Sequence, residues 1–169
     1  MNYTWTYAAM TDASQLMDLS LKVQFEVDTI FNFNPNVLAH NIVTGLVNQF
    51  YTGSSDLIAV VRDGDKIIAY TWAKTGEPTM WSNEHIMSIR MAHVDPDLTD
   101  RQKILLLKDM LVIWERFAQI TNTPIIVSST IRNKQSAFLR MHEKQGWIIR
   151  GNSAYKRVDL TQRPQQLFD

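Results

Sequence analysis

The order of strand-like and helical patterns in the middle of the chain constrains the fold most strongly. Three apolar runs follow one another at 57–62, 66–74 and 85–94, and an Asp63-Gly64 pair separates the first two. Such a pair between apolar runs is typical of a hairpin, because the turn requires positive φ. A helical pattern and then one short apolar run follow further along the chain. Since a helix between two strands of one sheet forms a parallel crossover, this order predicts a mixed α+β sheet.

The segments before and after this region supply the first helices and one further strand. A short strand is predicted at 4–8, and apolar residues recur at helical spacing after it. Asn34-Pro35 predicts the start of a second helix, because asparagine caps helices and proline is favoured at their first position. Thr99 and Gln102 have the spacing of a capping box, which predicts the start of a strong third helix.

The last part of the chain predicts a helix from Asn133 and then a hairpin of strands at 147–150 and 154–158. The whole order predicts a mixed central sheet of about six or seven strands flanked by four helices. It fits one domain over 1–158, and we expect residues 159–169 to form a loosely ordered tail.

In the third apolar run, strict alternation predicts that every second side chain shares one face of the strand. The residues placed on that face are Met87, Ile89, Met91 and His93.

Composition excludes several classes of site. The 169 residues include no cysteine, so disulfides, thiolate nucleophiles and cysteine-bound metals are excluded. Lys+Arg and Asp+Glu both number 17, a balance that argues against a nucleic-acid or polybasic membrane partner. His85 and His93 would lie about 26 Å apart on an extended strand, too far apart to share a metal, and no metal site is predicted.

The beginning of the chain has neither the basic nor the apolar part of a signal peptide, and no apolar run is long enough to cross a bilayer. We therefore expect a cytoplasmic protein. Edge strands and aromatic residues leave a homodimer open.

Two segments resemble the GNAT-type N-acyltransferase superfamily. The segment Met87–Pro96 looks like the central strand of that fold, which ends in a Val-x-Pro loop. The segment Asn133–Trp147 is similar to its later helix, with asparagine near the start and Lys-x-Gly-aromatic at the end. The resemblance implies the GNAT-like mixed sheet and an N-acyltransferase that takes acetyl-CoA as co-substrate and an amine as acceptor, either a small molecule or a protein.

The resemblance also implies where acetyl-CoA would bind. In the family, amides at the start of the crossover helix bind the pyrophosphate, and the pantetheine arm lies beside the central strand. The resemblance implies that the sheet forks beside this strand, so that the thioester reaches the point where the strands part. The positions that correspond to these contacts are Met91, Ala92, His93, Val94, Arg101, Gln102, Lys103, Ile104 and Asn133.

The pyrophosphate motif of the family, Arg/Gln-x-x-Gly-x-Gly/Ala, is only partly matched. Arg101 fits the first position, but Ile104 and Leu106 replace the two small residues. Because a branched side chain would hold phosphate oxygens away from the amides, Arg101 and Lys103 are the candidates to bind phosphate with side chains instead. The other interpretation is an ordinary solvent-facing first turn.

Three residues correspond to the family's catalytic positions. Glu84 or His85, at the start of the central strand, would act as general base, and His142 would act as acid. The alternatives are a solvated strand end and a surface histidine. Aromatic residues at such spacing more often belong to a core, but they would also suit an acceptor groove lined by Trp72, Trp81 and Trp147 and closed on its far side by Phe25, Phe31 and Phe33.

Two functions remain open at this point. The first is an N-acyltransferase that acetylates an amine. The second is a catalytically inactive GNAT-like interaction protein or virion-associated protein, similar to small GNAT-like proteins carried by bacteriophages. The replaced glycines favour the second function, and the Asn133–Gly146 helix favours the first.

Overall fold

The computed structural model describes residues 3–27, 30–51, 55–130 and 136–151. These residues form one five-stranded sheet in the order β1-β2-β3-β4-β5. The strands are β1 (Trp5–Tyr7), β2 (Asp56–Asp63), β3 (Lys66–Pro78), β4 (His85–Val94) and β5 (Ile125–Val127). The helices are α1 (Ala13–Leu21), α2 (Gln24–Val27), α3 (Pro35–Tyr51), α4 (Asp100–Ile120) and α5 (Ser136–Lys144), with a 3-10 turn at Met10–Asp12 before α1.

The mixed sheet predicted from the sequence is confirmed. The first four strands pair antiparallel in sequence order, and β5 pairs parallel to β4 after the α4 crossover. The predicted bounds of β4 are those of the structure, and Gly64 has the positive φ that the β2–β3 turn requires, +58°.

The strand count is lower than predicted. Residues 147–150 are not a strand in the structure, and their predicted partner, 154–158, lies outside the described residues, as do Asn133 and the predicted tail 159–169. A hairpin strand needs its partner to satisfy its backbone, so 147–150 alone cannot be assigned to the sheet.

The sheet is covered on both faces by helices. On one face, α4 packs its apolar side on alternate residues of β2, β3 and β4, and Leu106, Met110 and Trp114 are fully buried there. On the other face, α1 and α3 cover the remaining alternate residues, including Tyr70. Because β2 and β3 are buried on both faces, they read as continuous apolar runs.

A bulge in β4 changes which side chains share a face. Trp72 pairs with Met91 and Ala73 with Ile89, so Arg90 is an extra residue without a partner on β3. Ile89 therefore packs in the core beneath α4, whereas Met91 packs on the α1–α3 side.

The prediction that Met87, Ile89, Met91 and His93 share one face is therefore wrong. Met87 and Ile89 face α4, and after the bulge Met91 and His93 face α1 and α3. The physical reason is the single inserted residue, which reverses the alternation of every residue after it.

The predicted capping box at the start of α4 is confirmed. The Thr99 hydroxyl accepts from the Gln102 amide at 3.4 Å, and the Gln102 side-chain oxygen accepts from the Thr99 amide at 3.0 Å. Such a cap satisfies two of the free polar groups at a helix start and stabilises the helix by roughly 1 kcal/mol. In the described part of the chain, no helix has the length and apolar character needed to cross a membrane.

Candidate functional site

The sheet divides beside β4. Strand β5 pairs only with Ile86, Met87 and Ser88, so beyond Ser88 the two strands separate. From Ile89 to Val94, β4 has no paired strand on its β5 side among the described residues. The structure therefore contains the fork on which the resemblance depends.

A cleft of about 870 Å³ occupies this fork. Its floor is β4 from Ile89 to His93. On one side it is bounded by α4 and α5, and on the other side it is bounded by α1, α2 and the residues around the start of α3. A single cleft thus joins the two faces of the sheet through the point where β4 and β5 part, so two ligands that enter from opposite faces can meet there.

Four of the predicted co-substrate residues line this cleft. They are Met91, Ala92, His93 and Ile104. Val94 packs against the core beneath α4 instead, and Asn133 lies outside the described residues. The backbone of β4 is therefore in the predicted place, because the fork opens beside it.

The three polar residues at the start of α4 do not line the cleft. Arg101 is exposed, Gln102 is used in the capping box, and the Lys103 Nζ lies 3.8 Å from Asp100 Oδ1 in the same turn. Leu106 is fully buried in the core, so it has no part in a phosphate site. Of the α4 residues that correspond to the motif, only Ile104 reaches the cleft.

Acidic side chains surround this start of α4. Asp100 lies in its first turn, and Asp95 and Asp97 lie in the loop before it. A carboxylate at a helix N-terminus occupies the place where the helix dipole would favour a phosphate, and it repels a phosphate that approaches. The arrangement therefore does not fit a pyrophosphate at this helix start.

Asp95 holds the loop to the rest of the domain. Its buried carboxylate accepts from Lys22 Nζ at 2.6 Å, and Lys66 Nζ lies 2.8 Å from its other oxygen. Burial alone would raise the pKa of Asp95, but the hydrogen bonds from the two lysines outweigh it and hold the pKa well below its usual range. The same hydrogen bond, with a second one that Lys22 donates to Asp97, raises the pKa of Lys22.

The predicted bases lie away from the cleft. Glu84 and His85 are exposed at the first end of β4, where Glu84 accepts from Ser82, and neither lines the cleft. The cleft begins at Ile89, four residues and about 13 Å along the strand from His85.

His142 is a core residue rather than a surface one. It is 2% exposed and packs against Phe138, Trp114 and Trp147. Its Nδ1 lies 2.9 Å from the Phe138 carbonyl, which can only accept, so this nitrogen carries the proton and Nε2 accepts from the Ser128 hydroxyl at 3.2 Å. Burial lowers the pKa of His142. Its role is to hold α5 against the end of β5.

His93 is the histidine in the wall of the cleft. Its ring stacks on Tyr70, with centroids 5.3 Å apart, and it faces the α1–α3 side rather than the co-substrate side predicted from the sequence. The hydroxyl of Tyr70 lies 2.6 Å from Ser20 Oγ, and burial raises the pKa of Tyr70 above its usual range. The bulge at Arg90 is what turns His93 to this side, and no glycine or proline in β4 signals it in the sequence.

The charges of the described lining are positive. Arg90, Lys108, Arg140 and Lys144 reach the cleft, and no aspartate or glutamate is among its described lining residues. Arg90 is neutralised from outside the cleft, because Glu77 accepts from its guanidinium and also from Ser88. His93 is therefore the imidazole among the described lining side chains, and imidazole is the side chain best suited to take up a proton near neutral pH.

The structure is similar to solved acetyltransferases over nearly its whole length. A glucosamine-6-phosphate N-acetyltransferase from Arabidopsis thaliana is 13% identical, with 94% of this chain and 100% of that chain covered and a TM-score of 0.66. A predicted acetyltransferase with acetyl-CoA from Clostridium acetobutylicum is 15% identical, with coverage of 95% and 97% and a TM-score of 0.69. The chain has the GNAT acetyltransferase fold.

A third solved structure with this GNAT fold holds both halves of a reaction. AAC(6')-Iy, in complex with the bisubstrate analog CoA-S-monomethyl-acetylneamine, is 9% identical, with 94% of this chain and 99% of that chain covered and a TM-score of 0.69. No protein-family model and no curated protein matches the sequence. Among the described residues of this GNAT fold, no group of three or more His, Asp or Glu side chains is placed to hold a metal ion.

Proposed function

We propose that this protein is an N-acyltransferase that moves the acyl group of a thioester such as acetyl-CoA to an amine. The observation that carries the proposal is the fork between β4 and β5 and the single cleft that runs through it. A transferase of this kind must bring a donor and an acceptor to one point while it keeps them on separate sides, and the fork provides that arrangement.

The donor would lie along the open edge of β4. Backbone groups of Ile89–Val94 on the β5 side have no strand partner among the described residues. Buried backbone groups require hydrogen bonds, and the two amides of a pantetheine arm can supply them much as a strand would. The apolar side chains of Ile104, Leu107 and Met141 would contact the rest of the arm.

The amine would enter from the α1–α3 side. The described lining on that side is largely apolar and includes Val23, Val27, Phe31, Phe33 and Leu38. Of the aromatic residues predicted for the acceptor groove, Phe31 and Phe33 line the cleft, whereas Trp72, Trp81 and Trp147 do not. A lining of this kind favours an amine that is attached to an apolar or aromatic body, because its burial contributes about 25 cal/mol per Å² of apolar surface.

His93 would act as the general base. The amine nitrogen attacks the thioester carbonyl carbon, the carbon–sulfur bond breaks, and the thiolate leaves. The proton that the nitrogen loses passes to the His93 imidazole, which then returns it to solvent or to the thiolate. His93 faces the acceptor side, where this proton is released. Glu84 and His85, the bases proposed from the sequence, lie outside the cleft.

One observation favours the non-enzymatic alternative. The start of α4 carries Asp100 and a closed capping box instead of a glycine-lined phosphate seat. A GNAT fold that had lost its co-substrate and served as an interaction or virion protein would show this change. The alternative requires that the cleft takes no thioester, and a binding measurement decides between the two.

The test combines calorimetric titration of acetyl-CoA with a thiol-release assay. The assay uses a panel of aromatic, aliphatic and polycationic amines. Saturable binding together with amine-dependent thiol release supports the transferase. The absence of both at millimolar acetyl-CoA overturns it and leaves the interaction protein.

A further inference from the structure

The wall of the cleft formed by α4 and α5 carries three cations that the chemistry above does not use. They are Lys108, Arg140 and Lys144. We propose that these side chains, rather than the start of α4, bind the phosphates of the acyl-CoA donor. This inference rests on the proposed function for the identity of the donor, but not for the existence of an anion site.

The helical spacing of these residues directs them into one space. Lys108 follows Ile104 by four residues, so both lie on one face of α4. Arg140 and Lys144 are also four residues apart and share one face of α5, and the adjacent Met141 lines the cleft as well. All five line the cleft, so two cations from α5 and one from α4 share it.

These three cations differ from Arg90, the other cation of the described lining, which is paired with Glu77, and from several cations elsewhere in the described part of the chain. Lys22, Arg62, Lys66 and Lys103 each lie within 4 Å of a carboxylate. No ion pair among the described residues includes Lys108, Arg140 or Lys144. Glu143, the acidic neighbour on α5, is exposed and does not line the cleft.

Three positive charges in a partly enclosed space repel one another, and a polyanion that enters the space relieves the repulsion. In the loop between β4 and α4, Lys22 is paired with both Asp95 and Asp97, so its positive charge is neutralised by these carboxylates. The electrostatic preference for an anion therefore lies on the α4–α5 wall and not at the start of α4.

The neighbours of these cations indicate the class of ligand. Ile104, Leu107 and Met141 are apolar, whereas Ser129 and Thr130 offer hydroxyl groups beside them. A ligand with a long, partly apolar arm and phosphate groups matches this pattern, as acyl-CoA does. The planar guanidinium of Arg140 suits a phosphate with two parallel hydrogen bonds, and the lysines add point charges.

The test measures the affinity for acetyl-CoA by calorimetry in charge-removing variants. Arg140→Gln and Lys108→Gln are expected to weaken binding about 10- to 100-fold each, the range for a lost charge-assisted hydrogen bond. The matched control is Arg116→Gln, which removes the same charge from an exposed position of α4 outside the cleft and is expected to change affinity less than about twofold. Thermal unfolding of each variant shows that it is folded.

Two further arms locate the phosphates. If the ribose phosphate is the group that binds, the wild type will bind dephospho-CoA as weakly as the Arg140→Gln variant binds CoA. If the pyrophosphate is the group that binds, Arg140→Gln will weaken the binding of dephospho-CoA as much as it weakens the binding of CoA. Arg101→Gln tests the start of α4. A loss with Arg101→Gln that exceeds the loss with Arg140→Gln overturns the inference.

A transfer assay separates this inference from the proposed function. Arg140→Gln should raise KM for acetyl-CoA and leave kcat at saturation unchanged. Charge-dependent CoA binding without transfer to any amine supports the site and overturns the transferase. Transfer with a KM that is insensitive to both Arg140→Gln and Lys108→Gln overturns the site and supports the transferase. The absence of CoA binding at millimolar concentration overturns the site, whatever the transfer assay gives.

Discussion

The two halves of β4 differ in their strand partners and in what their side chains contact. The first half, Ile86–Ser88, is paired on both sides, and Met87 is completely buried beneath α4. The second half, Ile89–Val94, loses β5 as a neighbour and forms the floor of the cleft. Residues of the same types thus stabilise the core in one half and line the cleft in the other, and the bulge at Arg90 marks the change.

This difference means that the identity of a side chain in β4 does not predict its role. Met87 and Met91 are both methionines four residues apart, yet they lie on opposite faces of the sheet. His85 and His93 are both histidines of β4, yet only His93 lines the cleft. Matched substitutions, one in each half of β4, therefore test directly whether the two halves have different roles.

The largest effect is expected at His93. His93→Phe keeps an aromatic ring against Tyr70 and removes the base, so kcat should fall about 10²- to 10⁴-fold near neutral pH. Steady-state kinetics over a range of pH measures this loss, and His40→Phe, at an exposed position of α3, is the control. A comparable loss in Glu84→Gln or His85→Phe, with His93→Phe active, would show that the first half of β4 carries the chemistry.

The second prediction concerns the stability of the two halves. Met87→Ala should lower the free energy of unfolding by about 2–5 kcal/mol, because it leaves a cavity in a closed core. Met91→Ala should lower it by less than half as much, because Met91 is only partly buried and the cleft beside it is open to solvent. Urea unfolding measures both. Equal losses would mean that Met91 belongs to the core as fully as Met87 does.

The third prediction concerns Asp95, which directly follows the second half of β4 and pairs with Lys22 and Lys66. Asp95→Asn should lower the free energy of unfolding by about 1.5–3 kcal/mol at pH 7, the contribution of hydrogen bonds to a charged group. Asp97→Asn is the control and should cost less than about 1 kcal/mol, since its side chain is 78% exposed.

The pH dependence of the Asp95 contribution has a defined sign. Because its pKa is lower in the folded state than in the unfolded state, its contribution is present above the usual carboxyl pKa, near 3.9, and is lost as pH falls below it. The difference in free energy of unfolding between the wild type and Asp95→Asn should therefore be constant above about pH 5 and should shrink as pH falls below about 3.9, which urea unfolding at a series of pH values measures. A difference that does not change down to pH 3 would contradict this.

The smallest effect on stability is expected from His142, which holds α5, one wall of the cleft, in place. Burial favours its neutral form, so the unfolded chain takes up a proton more readily than the folded one. Stability should be unaffected above pH 6.5 and should then decrease by at most about 1.4 kcal/mol per pH unit as pH falls below that value. Thermal unfolding between pH 5 and 8 checks this, and the slope that remains in His142→Gln belongs to other groups. If His142→Gln had the same slope of stability against pH as the wild type, His142 would not be the source of the pH dependence.

Local signals predicted the parts of the fold that depend on neighbouring residues. The bounds of β4, the glycine turn after β2 and the capping box of Thr99 all follow from short-range chemistry, and each is present in the structure. The mixed sheet followed from the order of elements, because few topologies connect them. The fork itself was implied only by the resemblance to the GNAT superfamily.

The candidate site was harder to predict because it depends on contacts between distant segments. His142 is buried by Trp114 and Trp147, and nothing in the residues beside it in sequence indicates that burial. The bulge at Arg90 reverses the face of His93 without a sequence signal in β4. The acidic start of α4 was visible in the sequence as Asp95, Asp97 and Asp100, and its charge would have argued earlier against a phosphate there.

The short parallel pairing between β4 and β5 has a consequence for selectivity. Three residue pairs attach β5 to β4, whereas β2, β3 and β4 are joined to one another along much greater lengths, so the β4–β5 junction is more compliant than the β2–β3 and β3–β4 pairings. The donor side can widen without disturbance to β2 and β3, whereas the acceptor side is supported by that rigid pair. We therefore expect tolerance toward longer acyl chains combined with strict discrimination among amines.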